Sequence, residues 1–276
     1  MYMNRALALC VVCCLLFATP AAAIQNGLDD GGLHPYVGIM AFWSASYPSS
    51  GKPFLLCSAT LIAPEVVITP GHCTFGVADQ FQAGVYRLGV SFDQEPEDLM
   101  VSDFTPIQSL VLHPGFDPYA TDREPYDIAV ARLNLSARPP HVVLPGPIPL
   151  PEAGAVDALN ATGGLKHESF DVVGVSPILD WSGPGNPVVV DDYRRRWGSE
   201  PFHRLAAGQM IFRQHEKKDD VALCAGDTGG AVLRGGTDEL LAMIGSFSGH
   251  CSPWGYGLRL DTPLVRDFLG QFLTLP

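Results

Sequence analysis

Three short stretches carry side chains that could do chemistry together. CSATLIAPEVVITPGHC, residues 57–73, brings in His72; PYDIAVARL, residues 125–133, brings in Asp127; CAGDTGGAV, residues 224–232, brings in Thr228. A hydroxyl is a poor nucleophile at neutral pH and needs a base beside it. His72 is the candidate base, since an imidazole with an unperturbed pKa of about 6.5 can take a proton and return it. Asp127 is the candidate acceptor for the other ring N–H, which fixes the tautomer and stabilises the imidazolium. Gly226 and Gly229-Gly230 flank Asp227-Thr228 and let the backbone turn sharply. The N–H groups of Gly226 and Thr228 can then point at one spot, as an oxyanion hole requires. Taken singly, His72 reads as a structural histidine and residues 226–230 as an ordinary turn. Taken together they read as machinery for nucleophilic catalysis.

The elements that must position these residues are mostly strands. The chain has 276 residues, 47% hydrophobic and 17% charged, which excludes a disordered polymer. With 17 basic against 29 acidic side chains the net charge is −12, which argues against nucleic-acid binding and a basic membrane-facing surface. Twenty-nine Gly and 24 Pro suit a turn-rich β protein. Short apolar or alternating runs predict strands over 36–43, 58–62, 66–69, 128–133, 171–175, 188–190, 210–213, 231–233 and 240–247. No intervening helix of ten or more residues is evident, which excludes parallel βαβ units. Leu264, Val265, Phe268, Leu269 and Phe272 fall at helical spacing behind a cap at Asp261 or Thr262 and predict one C-terminal helix over 262–272. The segment 136–151 contains six prolines and reads as a stiff linker between two β units.

Residues 1–23 read as a secretory signal. Arg5 gives a positive start, an apolar run covers residues 6–18, Pro20 breaks it, and Ala21-Ala22-Ala23 supplies small residues for cleavage after Ala23. The run is short for a membrane anchor. Cys10, Cys13 and Cys14 leave with it. Cys57, Cys73, Cys224 and Cys251 remain, an even number that suggests two disulfides among three possible pairings.

The order His72…Asp127…Thr228, with the motifs around it, resembles the chymotrypsin/trypsin family of serine endopeptidases. The opening IQNGLDDGGLHPYVG and the ending LRLDTPLVRDFLGQFLTLP look closest to its secreted bacterial branch. The resemblance implies an all-β fold of two antiparallel six-stranded barrels, the first over about 24–135 and the second, with the C-terminal helix, over about 152–276. It implies an active site between them and disulfides Cys57–Cys73 and Cys224–Cys251. It also implies that Ile24, exposed by signal cleavage, inserts its ammonium against Asp227, so that signal peptidase itself creates the activating terminus. At the floor of the family's specificity pocket stand Ala222 and Leu223, where trypsin-like enzymes carry an Asp; no strong Lys/Arg preference is expected. Asp219 and Asp220 nearby read as solvated loop charges. Ser246-Phe247-Ser248 resembles the segment along which substrates lie as an added strand.

Thr228 stands where the family has Ser. Its hydroxyl can act as a nucleophile, but β-branching restricts χ1 and the methyl group must find room. Milder departures are Pro70-Gly71 before the His, Ala231 after the glycines, Phe247 for Trp and Ser248 for Gly. Two functional classes follow: a secreted endopeptidase with a slow Thr nucleophile, or a catalytically silent homologue that binds peptides or proteins through the same cleft. The expected partners are a peptide or protein substrate and a protein inhibitor, with the chain a monomer, exported by a bacterium and free of the membrane after cleavage. No cofactor or metal is called for. His113 and Arg194-Arg195-Arg196 read as structural and solvated respectively, and Asp29, Asp30 and residues 93–98 lack a regular Ca²⁺ ligand ladder.

Overall fold

The computed structural model describes residues 24–119, 125–180, 188–206, 208–214 and 221–276, so residues 1–23, where a signal is expected, and the Asp219-Asp220 pair lie outside the described residues. The chain opens with the two-residue strand β1 (Leu28–Asp29). There follow β2 (Val37–Ser44), β3 (Phe54–Ala63), β4 (Val66–Thr69), β5 (Tyr86–Ser91), β6 (Thr105–Leu112) and β7 (Ala129–Leu133). These six close an antiparallel barrel in the order β2-β3-β4-β7-β6-β5. The second set is β8 (Ser169–Asp180), β9 (Val188–Ala206), β10 (Gln209–Arg213), β11 (Ala231–Arg234), β12 (Leu240–Phe247) and β13 (Trp254–Arg259). Its order is β9-β10-β13-β12-β11-β8, and pairing of β8 with β9 closes it. The two six-stranded antiparallel barrels expected from the sequence are present.

Inward-facing apolar side chains fill each barrel. Ile39, Leu61, Ile68, Leu88 and Val130 are buried in the first; Phe170, Val172, Met210, Phe212 and Leu241 are buried in the second. Each such side chain contributes about 1.5–3 kcal/mol on leaving water. Strand β4, VVIT, is buried along its whole length between β3 and β7. The linker packs on the first barrel: Ile148 and Leu150 are buried, and Ile148 N–H donates to Leu61 O at 3.0 Å.

The opening segment joins the second barrel although it precedes the first. Leu28 and Asp29 of β1 pair with Trp197 and Arg196 of β9, and Gln25 and Ala222 exchange backbone hydrogen bonds at 2.8 and 3.0 Å. Ile24 is fully buried in the core of that barrel.

Several elements differ from expectation, among them β1, β5, β6 and β13, which lie outside the expected strand ranges. Helix α1 (Gly71–Gln82) is twelve residues long where no such helix was evident. Its two glycines and weak apolar pattern conceal it, and packing of Cys73, Val77 and Ala78 against the barrel supplies what propensity does not. A shorter helix, α2 (Ala155–Ala161), follows the linker. Strand β9 runs for nineteen residues where three were expected. Its charged run Arg194-Arg195-Arg196 is not a solvated loop: Arg195 and Arg196 are 2% and 3% exposed. The C-terminal helix α3 (Pro263–Leu269) is capped by Thr262, whose hydroxyl accepts from Val265 N–H. No helix of the described residues is long and apolar enough to cross a membrane.

Candidate active site

His72 lies in the first turn of α1, where backbone N–H groups have no partner within the helix. Asp127, just before β7, supplies one. Its Oδ1 accepts from His72 N–H at 2.9 Å, while its Oδ2 lies 2.6 Å from His72 Nδ1. One carboxylate therefore caps the helix and orients the ring. With Nδ1–H donating to Asp127, Nε2 carries the lone pair and is set as the basic nitrogen. The His72 side chain is 44% exposed and that of Asp127 16%, so the base faces the cleft and its partner lies behind it. Gly71 leaves the space this needs, since a Cβ there would sit 3.0 Å from Phe116 and 3.3 Å from Asp127 Oδ1. The Cys57–Cys73 disulfide ties β3 to α1 next to His72.

Residues 224–230 form the opposing turn. Gly226 at φ +98° and Gly229 at φ +96° occupy conformations that side chains rarely adopt. A Cβ on Gly229 would also collide with the Ser58 carbonyl. Asp227 N–H donates to Cys224 O, Gly229 N–H to Ile244 O and Gly230 N–H to Asp227 O. Among the described residues the N–H groups of Gly226 and Thr228 donate to none. The second disulfide, Cys224–Cys251, anchors the start of this turn.

Strand β3 grips the turn from the first barrel. Ser58 N–H donates to Gly226 O at 3.0 Å, its hydroxyl donates to the same oxygen at 2.8 Å, and the hydroxyl accepts from Val175 N–H at 2.8 Å. Thr60 Oγ1 donates to Gly229 O at 2.9 Å. Both hydroxyls lie inside the 57–73 stretch, but nothing in it marks them as partners of the turn.

Asp227 is fully buried. Ser176 Oγ donates to its Oδ1 at 2.5 Å and Cys224 N–H to its Oδ2 at 2.8 Å, and the backbone N–H of Ile24 also bonds the carboxylate. Burial pushes the carboxyl up to about 6; these hydrogen bonds and the charge of Arg196 act against that rise.

Thr228 is 4% exposed. Among the described residues no hydrogen bond joins its hydroxyl to His72, and Nε2 instead lies 3.5 Å from Cys73 Sγ. A disulfide sulfur has no proton to give, so that contact leaves the nitrogen basic. For the same reason the grouping of Cys57, His72 and Cys73 offers no thiolate to a metal.

Ala222 and Leu223 are both fully buried, with Leu223 in the apolar core and a Cβ on Gly255 reaching 2.8 Å from its Cδ1. Ser246, Phe247 and Ser248 stand half-buried at the end of β12. Ser248 N–H donates to Trp254 O at 2.8 Å, and its hydroxyl accepts from Trp254 N–H at 3.1 Å, so its amide is occupied within the sheet. Asp30 is held by Arg195 Nε at 2.8 Å and His34 Nδ1 at 2.5 Å, which leaves no open carboxylate there for Ca²⁺.

A family model described as Trypsin matches residues 32–260. The chain is 26% identical over 233 residues to the CLIP domain-containing serine protease HP8 of Bombyx mori, covering 76% of this chain and 56% of that protein. It is 26% identical over 117 residues to the Inactive serine protease PAMR1 of Pongo abelii, covering 41% of this chain and 14% of that protein. It thus spans about half the length of the first relative and a small part of the second. The fold is similar to that of HL collagenase, with a TM-score of 0.60 at 16% identity, covering 89% of this chain and 96% of that one.

Proposed function

The chain belongs to the trypsin family, and on that premise we propose that it is a secreted endopeptidase that hydrolyses peptide bonds with Thr228 as nucleophile. In this reading Thr228 Oγ1 attacks the scissile carbonyl carbon and His72 Nε2 takes its proton. The developing oxyanion meets the N–H groups of Gly226 and Thr228. His72 then returns the proton to the leaving amine, and a water molecule repeats the sequence on the acyl-threonine. The observation that carries the reading is the double engagement of Asp127 with His72, at 2.9 and 2.6 Å, which fixes the ring for this task. Two amides that donate to no group among the described residues, on Gly226 and Thr228, support it.

Secretion with cleavage after Ala23 is part of the same proposal. Ile24 sits at φ +37°, costly for a β-branched residue by about 1–3 kcal/mol. That torsion exists only while residue 23 is attached, so cleavage removes it. The ammonium so created remains beside Asp227, where the amide nitrogen already bonds. The apolar Ala222 and Leu223 support selection of an uncharged side chain rather than Lys or Arg. The bacterial likeness rests on the opening and closing segments alone, while the relatives reported above are an insect and an ape.

A second reading has its own observations. The hydroxyl of Thr228 is not bonded to His72, and the Ser248 amide is spent on Trp254. Both favour a silent homologue that binds peptides or proteins in the cleft without cutting them. A fluorophosphonate probe with peptide mapping separates the two. Modification at Thr228 is expected for the peptidase; an unmodified Thr228 alongside a reactive Thr228→Ser variant marks a silenced one.

A further inference from the structure

Gly174 of β8 faces Arg196 of β9 in the antiparallel ladder. Paired residues in such a ladder project from the same face of the sheet. A Cβ on Gly174 would lie 2.5 Å from Asp227 Oδ1 and 3.0 Å from the Asp227 Cβ. The Asp227 side chain therefore occupies the space that a side chain at 174 would take, on the face onto which Arg196 projects. Arg196 is 3% exposed, and its Nη1 donates to Ser176 O at 3.4 Å. Ser176 in turn donates its hydroxyl to Asp227. A guanidinium stays charged at any physiological pH, and a buried charge is tolerated where an opposite one compensates it.

We propose that Arg196 is a positioning residue, a permanent cation built into β9 that holds Asp227, and with it the turn 226–228, in place before any free ammonium exists at Ile24. The proposal rests on the reading of Ile24 and Asp227 as an activation pair and deepens it. Asp227 then has two cations to draw on, one fixed in the fold and one created by cleavage. In the uncut 276-residue chain the turn is already formed around Asp227, to which Ile24 bonds through its amide and not through an ammonium. Cleavage adds a second charge to an arrangement that Arg196 already sustains.

The test compares two forms of the protein: the full chain made without signal peptidase, and the chain starting at Ile24. Wild type, Arg196→Met and Arg196→Lys are prepared in each form. Hydrogen exchange is followed at the amides of Asp227, Gly229 and Gly230, all bonded in the turn. Wild type is expected to protect them to within about tenfold in both forms. Arg196→Met is expected to lose about 100-fold protection in the uncut form and less than about threefold in the cut form, because the ammonium takes over. Arg196→Lys is expected to recover most of the loss. Equal losses in both forms mark a merely structural arginine and overturn the proposal, as does full protection in the uncut Met variant. A Met variant that folds only when cut supports it, and one that folds in neither form overturns it. Peptide hydrolysis is measured alongside. Silence in every form counts against the peptidase reading, while the exchange pattern still decides the role of Arg196.

Discussion

The hydroxyl of Ser58 and the carbonyl of Gly226 lie 2.8 Å apart, and this contact crosses the seam between the barrels. The same hydroxyl takes the N–H of Val175. The position of the candidate oxyanion turn in the second barrel is thus set by a strand of the first. Ser58→Ala strips a buried amide of its acceptor, and the expected cost is about 1–3 kcal/mol in denaturant unfolding. If the variant turns over substrate, kcat is expected to fall about tenfold with KM little changed, because the Gly226 peptide is loosened rather than the substrate cleft.

Thr228→Ser removes one methyl group from a residue that is 4% exposed. Relief of a misplacement of about 1 Å at the attacking oxygen is worth roughly 100-fold. We therefore expect kcat/KM toward peptide esters to rise by about that factor. Adding Asp127→Asn to this variant is expected to lower the rate by about 10⁴, since the ring would then hold the wrong tautomer. A Thr228→Ser protein that stays inert would point to the cleft-binding reading.

Asp227 gives a stability profile with a definite sign. Its carboxyl is pushed up to about 6 from 3.8, chiefly by burial. The folded chain then binds this proton more tightly than the unfolded chain does. The stabilisation is complete below about pH 3.8 and is lost as pH rises through about 6, on the order of 3 kcal/mol in the uncut chain. In the cut chain the neighbouring ammonium draws the carboxyl back down, and that loss shrinks. The amine, raised by its partner, brings a separate loss as pH climbs above about 8. Denaturant unfolding from pH 3.5 to 9, with Asp227→Asn as the reference, isolates both effects.

Asp30 behaves in the opposite sense. Burial works to raise its carboxyl, but His34 and Arg195 together hold it below the usual carboxylate range. Its contribution is present above about pH 4 and disappears as pH falls through the depressed value. Asp30→Asn leaves Arg195, 2% exposed, without its anion, and is expected to cost about 3–5 kcal/mol at neutral pH. Thermal or denaturant unfolding of the variant measures it.

Breaking the Cys57–Cys73 link by Cys57→Ala with Cys73→Ala reopens a loop of 16 residues. The expected loss is about 3 kcal/mol on the chain-entropy account. Because the bridge anchors the start of α1, the His72 ring should also become more mobile, visible as a broadened imidazole resonance.

Most of the strands were readable from short apolar runs, the paired barrels only through the family resemblance, and the engagement of His72 with Asp127 from the motifs that enclose them. Two kinds of feature stayed hidden. Helix α1 has glycines at 71 and 76 and little amphipathic contrast, so only its tertiary packing reveals it. Strand β9 carries Asp, Tyr and Arg where a buried strand normally shows Val or Ile; Arg195 meets the buried carboxylate of Asp30 and Arg196 a backbone carbonyl instead of solvent. Ser58, Ser176 and Arg196 sit in separate strands, and nothing in linear order announces that they converge on residues 226–227. Such convergence depends on register, which spacing within one strand does not encode.

The exchange of backbone bonds between Gln25 and Ala222 also governs timing. A ribosome delivers residue 25 almost two hundred residues ahead of its partner. The opening segment must therefore wait, unpaired with Ala222, until β8, β9 and β10 of the second barrel have been made, and contacts so distant along the chain close late and slowly. Until residue 222 has been added the clasp cannot exist. On this topology the opening segment is tied to the stretch leading into the turn at 226–228 only after most of the molecule has been synthesised.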